Sequence, residues 1–387
     1  MKIVIDARMY GLEHAGIGRY ILNLIDEIEK LDKKNDYFIL LRKKYYSHFA
    51  KASTSAKATA DRSRDKQNSN FQAVLADYPH YSWQEQIFLP VLLFKLKPDV
   101  VHFPHFNVPL FWCGKYVVTI HDLIKHQFRG GQMTTRFRLF YWFKYLNYRF
   151  LVWLVVKRAA KIITPSHWWK KELIKRYHLP PTKINVTYEG VEKKFQIPNS
   201  KFQIYSARVL GKYKIKKPFV IYTGSLYPHK NVERLVLAVK KIKFPLVIVC
   251  GRNVFLERFE KRIKKLKAEN LVTLTGFVPD EELVALYQQA EAFVFPSLLE
   301  GFGLPGLEAM AVGLPVLASN SSCLPEVYGP AAIYFDPLNV NEMASKIKKI
   351  ISDKRLKQKM IKLGYQQVKK YSWQKMAKET LRVYNVL

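Results

Sequence analysis

The sequence predicts an α/β protein made of two doubly wound parallel-sheet domains, and three observations carry that expectation. With 387 residues the chain exceeds a single domain of ~150 residues. Short β-branched apolar runs alternate with longer stretches of helical period, as βαβ units on a parallel sheet require. The alternation occurs twice, interrupted at residues 192–217 by a stretch without clean periodicity that carries Pro198, Asn199, Ser200 and Gly211. The first domain is therefore expected over 1–198 and a linker over 199–217, with the second domain starting at 218.

In the first half, strands are expected at 2–6, 37–41, 71–75, 99–103, 116–120, 161–164 and 184–188, each a short run rich in Val, Ile, Phe, Leu or Tyr. Helices are expected at 19–29 and 168–177, where apolar residues recur three and four apart. The second half repeats the pattern, with strands at 219–223, 246–250, 271–275, 293–295, 315–318 and 332–335 and helical period at 232–240, 340–351, 355–370 and 373–384. Residues 51–70 contain only Ala, Ser, Thr, Lys, Asp, Arg, Gln and Asn, which bury almost nothing, and are read as a mobile loop.

Composition narrows the class. An apolar share of 49% with 17 Gly and 19 Pro fills a core and excludes a collagenous or disordered chain. The surplus of 64 Lys and Arg over 31 Asp and Glu gives +33, so negatively charged partners are expected. Cys113, Cys250 and Cys323 are too scattered for a disulfide framework or a zinc site, which suits a reducing compartment. The N-terminus opens directly in an apolar run without signal-peptide regions, and no apolar stretch reaches membrane-spanning length. A cytoplasmic protein is expected.

Three glycine turns and one histidine stand at strand ends. In Glu300-Gly301-Phe302-Gly303-Leu304-Pro305-Gly306-Leu307-Glu308 the glycines permit close backbone approach, and Pro305 suits a helix start that attracts anions. Glu300 and Glu308, the latter expected in the first helical turn, suit vicinal hydroxyls of a sugar or ribose. A structural turn with a dipole-favoured acid would look the same. Lys230, in Gly224-Ser225-Leu226-Tyr227-Pro228-His229-Lys230-Asn231, stands where a strand gives way to a helix and suits a diphosphate; a solvated lysine is the plainer reading. Gly16-Ile17-Gly18 opens the first helix but lacks the third glycine of a dinucleotide fingerprint. A glycine loop in each half suggests a ligand held between two domains. His121, at the end of an N-terminal strand, suits donation to a substrate oxygen or a structural bond to backbone, and His102 and His105 are similarly open. Residues 123–171 hold eleven Lys or Arg, no acid, and interleaved aromatics, which suits an anionic bilayer, nucleic acid, or a core helix with a solvated basic face.

Taken together these residues resemble a family 4 glycosyltransferase of the GT-B fold over essentially the whole chain. The most specific match is the E-x7-E motif from Glu300 to Glu308, followed by Gly313-Leu314-Pro315-Val316. Gly16 to Tyr20, His121-Asp122, Ile163-Thr164-Pro165-Ser166, Tyr188-Glu189-Gly190-Val191 and Gly224 to Asn231 support it. The resemblance implies a donor domain over 218–372, a final helix at 373–387 returning to the N-terminal domain, and transfer from a nucleotide-sugar with retention. It assigns Glu308 to the ribose, Glu300 and the backbone of Gly301, Phe302, Gly303 and Leu304 to the donor sugar, Lys230 and Gly16 to the phosphates, and His121 to the transferred sugar. No metal or other cofactor is implied. His229 and Ser225 stand where many relatives carry an arginine, and Glu189 where asparagine is frequent. The expected activity is transfer of mannose from GDP-mannose to a lipid-linked or cell-surface glycan acceptor, peripheral on the inner face of the cell membrane. A UDP-sugar donor, a nucleotide-sugar epimerase on the same fold, and a basic nucleic-acid-binding protein are the alternatives, the last disfavoured because phosphate-backbone binding needs neither paired glutamates nor glycine turns.

Overall fold

The computed structural model describes residues 1–47, 49, 70–128, 138–195, 202–251 and 254–387. The low-complexity stretch read as a loop lies, but for Asn70, outside the described residues. The chain forms two compact units, one of residues 1–123, 137–189 and 373–387, the other of residues 124–136 and 190–372.

The first unit holds a seven-stranded sheet in the order β3-β2-β1-β4-β5-β6-β7, all pairs parallel. Its strands are β1 (Lys2–Asp6), β2 (Asp36–Leu41), β3 (Phe71–Leu75), β4 (Val100–Phe103), β5 (Tyr116–Thr119), β6 (Lys161–Thr164) and β7 (Ile184–Val186). Ile3, Val4, Ile5, Val101, Val117 and Val118 are fully buried, because helices cover both faces of a parallel sheet and leave no face for polar alternation. Its helices are α1 (Ala15–Leu31), α2 (Trp83–Leu96), α3 (Arg138–Arg158) and α4 (His167–Tyr177). Gly18, in the first turn of α1, faces the Gly11 carbonyl oxygen, which a Cβ would approach to 1.9 Å. Only glycine lets that loop lie against the helix.

The second unit carries six parallel strands in the order β10-β9-β8-β11-β12-β13. These are β8 (Val220–Thr223), β9 (Leu246–Val249), β10 (Val272–Gly276), β11 (Phe293–Phe295), β12 (Val316–Ser319) and β13 (Ala332–Phe335). Around them lie α5 (Phe202–Lys212), α6 (Val232–Ile242), α7 (Val254–Lys265), α8 (Asp280–Gln289), α9 (Leu304–Ala311), α10 (Val340–Ser352) and α11 (Lys354–Val368). Helix α5 falls in the stretch expected to be an irregular linker. It is held there by tertiary contacts that local period does not reveal: Ser206 and Val209 are buried, and the Tyr213 hydroxyl and Lys212 both donate to Glu282 of α8.

The last helix, α12 (Trp373–Asn385), belongs to the first unit, where it packs along α1 and buries Trp373, Met376, Ala377, Thr380, Val383 and Tyr384.

Candidate functional site

The second sheet reverses its strand order between β8 and β11, so the loops leaving these two strands border the crevice where doubly wound sheets take ligands. The loop after β8 closes in a 3-10 turn, Pro228–Lys230, ended by Asn231 at φ +59°. Asn231 ties this loop to its neighbours by donating to the carbonyls of Pro296 (3.0 Å) and Pro337 (2.8 Å). The Leu298 N–H donates to the His229 carbonyl at 2.8 Å. This backbone frame brings Lys230 and Glu300 together, with Nζ 2.7 Å from both carboxylate oxygens. The pair is largely buried, Lys230 at 16% and Glu300 at 7% exposure, so water screens it weakly.

The glycine turn after β11 has a floor. The Cys323 thiol lies 3.3, 3.4 and 3.5 Å from the carbonyls of Glu300, Gly301 and Phe302, and the Tyr328 hydroxyl donates to the Gly303 carbonyl at 2.6 Å. Gly303 caps α9 at φ +102° without a side-chain cap, a conformation that any side chain would strain. With the turn's carbonyls engaged by Cys323 and Tyr328, the α9 N-terminus offers a ligand its backbone N–H groups and positive dipole end. Burial, and then the Glu300 charge, push the Cys323 thiol well above its ordinary pKa, so it serves as a neutral donor. Glu308 is buried on α9 as its fifth residue. It therefore stands in the second turn, not the first as expected, because the helix begins only after the left-handed Gly303.

His229 is answered by its surroundings. It lies buried beside Phe128 and Tyr227, ring centroids 5.5 and 5.8 Å away. Burial, and then the Lys230 charge, lower its pKa to about 3. A neutral imidazole does not replace an arginine's charge, and Lys230 is the cation of this turn.

In the first unit the order reverses between β1 and β4. His121, just past β5, is fixed on both ring nitrogens, with Nε2 3.0 Å from the Pro104 carbonyl and Nδ1 3.2 Å from Glu189 Oε1. Tyr20 meets its ring edge-on at 4.7 Å between centroids. Since Nε2 faces a carbonyl, it carries a hydrogen, and Glu189 is the partner a substrate oxygen must displace to reach Nδ1. Gly16 is exposed and a Cβ there meets nothing within 4 Å, so it presents an open stretch of backbone. His102 is resolved as structural: buried, it bonds Tyr384 Oη through Nδ1 at 2.6 Å and Thr119 Oγ1 through Nε2 at 2.8 Å.

Sequence reading missed a second polar cluster at this edge. Arg8 reaches Asp6 at 2.7 Å and Glu85 at 2.6 Å, Asn107 donates to Glu85 at 2.6 Å, and all four are buried. Asp6 at a strand end was the one available signal; its partners lie far away in sequence. Cys323 and Tyr328 were missed for the same reason.

Residues 208–367 match the family described as glycosyl transferases group 1, and residues 15–195 match Glycosyltransferase Family 4. O-antigen chain mannosyltransferase B of Escherichia coli is 30% identical over 298 residues, 75% of each chain. O-antigen chain mannosyltransferase RfbU of Salmonella typhimurium is 30% identical over 253 residues, 64% of this chain and 63% of that protein. Among solved structures, Anabaena HepE in complex with UDP and glucose superposes with a TM-score of 0.71 at 15% identity, covering 100% of this chain and 99% of that one.

Proposed function

This chain belongs to the glycosyltransferases, family 4 in its first half and group 1 in its second, and from that premise we propose that it is a retaining hexosyltransferase. The donor is mannose from GDP-mannose, and the acceptor a lipid-linked or cell-surface glycan met at the inner face of the cell membrane. The observation that carries the reading is the Lys230–Glu300 pair at the strand-order reversal of the second sheet. A diphospho-sugar answers both members at once: its anionic oxygens replace Glu300 as partner of Lys230, and its hydroxyls replace Lys230 as donors to Glu300. Few other ligands join an anion and vicinal hydroxyls within that span. Glu308 takes the ribose, and the Gly301–Leu304 backbone lies along the sugar.

In the reaction the acceptor oxygen bonds the anomeric carbon on the face from which the bond to phosphate breaks. The acceptor proton passes to the departing diphosphate. Lys230 and the α9 N-terminus meet the charge that develops there, as fixed dipoles and charges do best in a site shielded from water. His121, held by Pro104 and Glu189, orients the sugar. No resident cation is needed in this scheme, and transfer should survive EDTA.

Mannose is preferred because the two O-antigen relatives are mannosyltransferases by name. A UDP-hexose is the second reading, favoured by the UDP and glucose bound to HepE. A thermal-shift panel of GDP, UDP, GDP-mannose and UDP-glucose separates them, since a ligand of the native state raises its melting temperature. Lys230→Ala and Glu308→Ala should each raise donor KM or abolish turnover. Unchanged kinetics in both would sink the assignment, and sugar conversion without any acceptor would indicate an epimerase.

A further inference from the structure

Among the described residues, large apolar side chains are exposed in an uneven way. Thirteen of the twenty fall in three segments of the first unit: six between 81 and 94, two at 110–111, and five between 142 and 153. On α2, Trp83, Ile87, Val91 and Phe94 recur at helical spacing on the outer side, Trp83 at 66% and Phe94 at 55% exposure. On α3, Phe143, Leu146, Phe150 and Trp153 do the same, opposite buried Tyr145, Val152, Val155 and Val156. An ordinary surface helix turns a polar face outward, whereas these two carry large aromatic and aliphatic side chains there among their basic residues. The sequence left the second of them open to an anionic bilayer, to nucleic acid or to a core position with a solvated basic face; its exposed side carries aromatic rings together with Lys144, Arg149 and Lys157.

The two helices flank one segment. Phe106 meets Tyr148 of α3 at 5.1 Å and Tyr81, just before α2, at 6.4 Å. Farther along, the Phe94 ring meets Trp112 at 5.1 Å, Gln86 Oε1 accepts from the Leu110 N–H, and Arg158 donates to the carbonyls of Leu110 and Trp112. Phe111, 64% exposed, stands at the tip. The buried Arg8–Glu85–Asn107 cluster ties α2 to this segment.

We propose that α2, the 106–113 segment and α3 form one docking face for an anionic bilayer, lying in the headgroup layer without crossing it. Charge selects this occupant. Lys95, Lys97, Lys144, Arg149 and Lys157 are exposed within or beside the face; Glu85, the one acid within α2, the 106–113 segment and α3, is buried on Arg8, and the exposed Asp99 beside Lys97 accepts from the Lys2 N–H. Aromatic bodies with basic neighbours suit the interface of anionic lipid. Among the described residues no helix is long and apolar enough to cross a membrane. Two residues before the segment, the Pro104 carbonyl holds His121, so the face adjoins the strand edge assigned to the transferred sugar. In that delivery role, bringing a lipid-linked acceptor to His121, the proposal rests on the function above; lipid binding itself does not.

The test is flotation of the full-length chain with vesicles of phosphatidylcholine alone or mixed with phosphatidylglycerol. The paired variants Ile87→Glu/Phe94→Glu and Phe150→Glu/Trp153→Glu are compared with Phe277→Glu, an exposed site in the other unit. Wild type and Phe277→Glu should float with the anionic vesicles, and each paired variant should lose roughly tenfold or more in lipid affinity. A fluorophore on exposed Cys113 should shift to the blue with anionic vesicles only. Equal binding to both vesicle types, retention by either paired variant, or a lipid-indifferent dimer that the variants dissociate would overturn the proposal, the last assigning the face to a second copy. Unaltered thermal shifts with nucleotide show that the variants fold. Flotation without any sugar-nucleotide binding would support docking while removing the proposed function.

Discussion

Gly16 and Gly18 look alike in the sequence, yet the structure gives them opposite tasks. A Cβ at Gly18 would stand 1.9 Å from a carbonyl oxygen, and one at Gly16 would stand in open space. Gly18→Ala should therefore destabilise by about 3 kcal/mol, the scale of a forced overpacking, and lower the first unit's melting transition. Gly16→Ala should leave melting unchanged and, if the phosphates approach there, raise donor KM. Differential scanning calorimetry beside donor titration tells the two apart. Equal melting of both variants would contradict the packing argument. Lys230 differs in the same way from the exposed lysines: its ammonium is held against a buried carboxylate, so replacing it leaves Glu300 without that partner.

At the scale of the element, the 300–303 turn depends on Cys323 and Tyr328, which stand at the two ends of the short helix Leu324–Tyr328. Cys323 is inert by burial, and Cys250 is pushed up to about 11 by burial. Of three cysteines only Cys113 is exposed, so native protein should consume one equivalent of a thiol reagent quickly and the other two only on unfolding. Rapid modification of Cys323 would mean that the turn opens in solution. Cys323→Ala should remove the donor under three carbonyls and weaken donor binding with little change in the rest of the fold. These elements also show what the sequence discloses. Each of the thirteen strands among the described residues falls on a short run rich in Val, Ile, Phe, Leu or Tyr, because the inner strands are buried on both faces, while edge strands such as β3 and β10 are half-exposed. Helix α2 escaped notice because Pro90 lies within it and apolar residues surround it, which erases the one-sided period. The glycine turns were legible since their chemistry is local. Their floor, Cys323 and Tyr328, and the Arg8 cluster were not, since they form between residues far apart in the chain.

At the scale of the whole molecule, both units bury a histidine that folding keeps neutral. His102 in the first unit and His229 in the second have pKa values lowered to about 3, mainly by burial. Unfolded, each titrates near the ordinary value of about 6.5. Between those values the unfolded chain binds protons that the native chain does not, so stability falls as pH falls, by up to ~1.4 kcal/mol per pH unit for each histidine. Their contribution is complete above about pH 6.5 and drains away below it. The depressed carboxylates Asp6 and Glu85 act in the same direction, but only once the pH drops below the ordinary carboxylate range. Asp26 and Glu379, raised by burial, act in the opposite sense and equally in every variant. Urea midpoints of wild type and His229→Asn, followed from pH 7 to pH 4.5, isolate the second unit's share. The variant should start less stable and lose stability less steeply. Parallel slopes would mean that His229 takes up its proton in the native state, and the turn that carries Lys230 would then hold two cations instead of one.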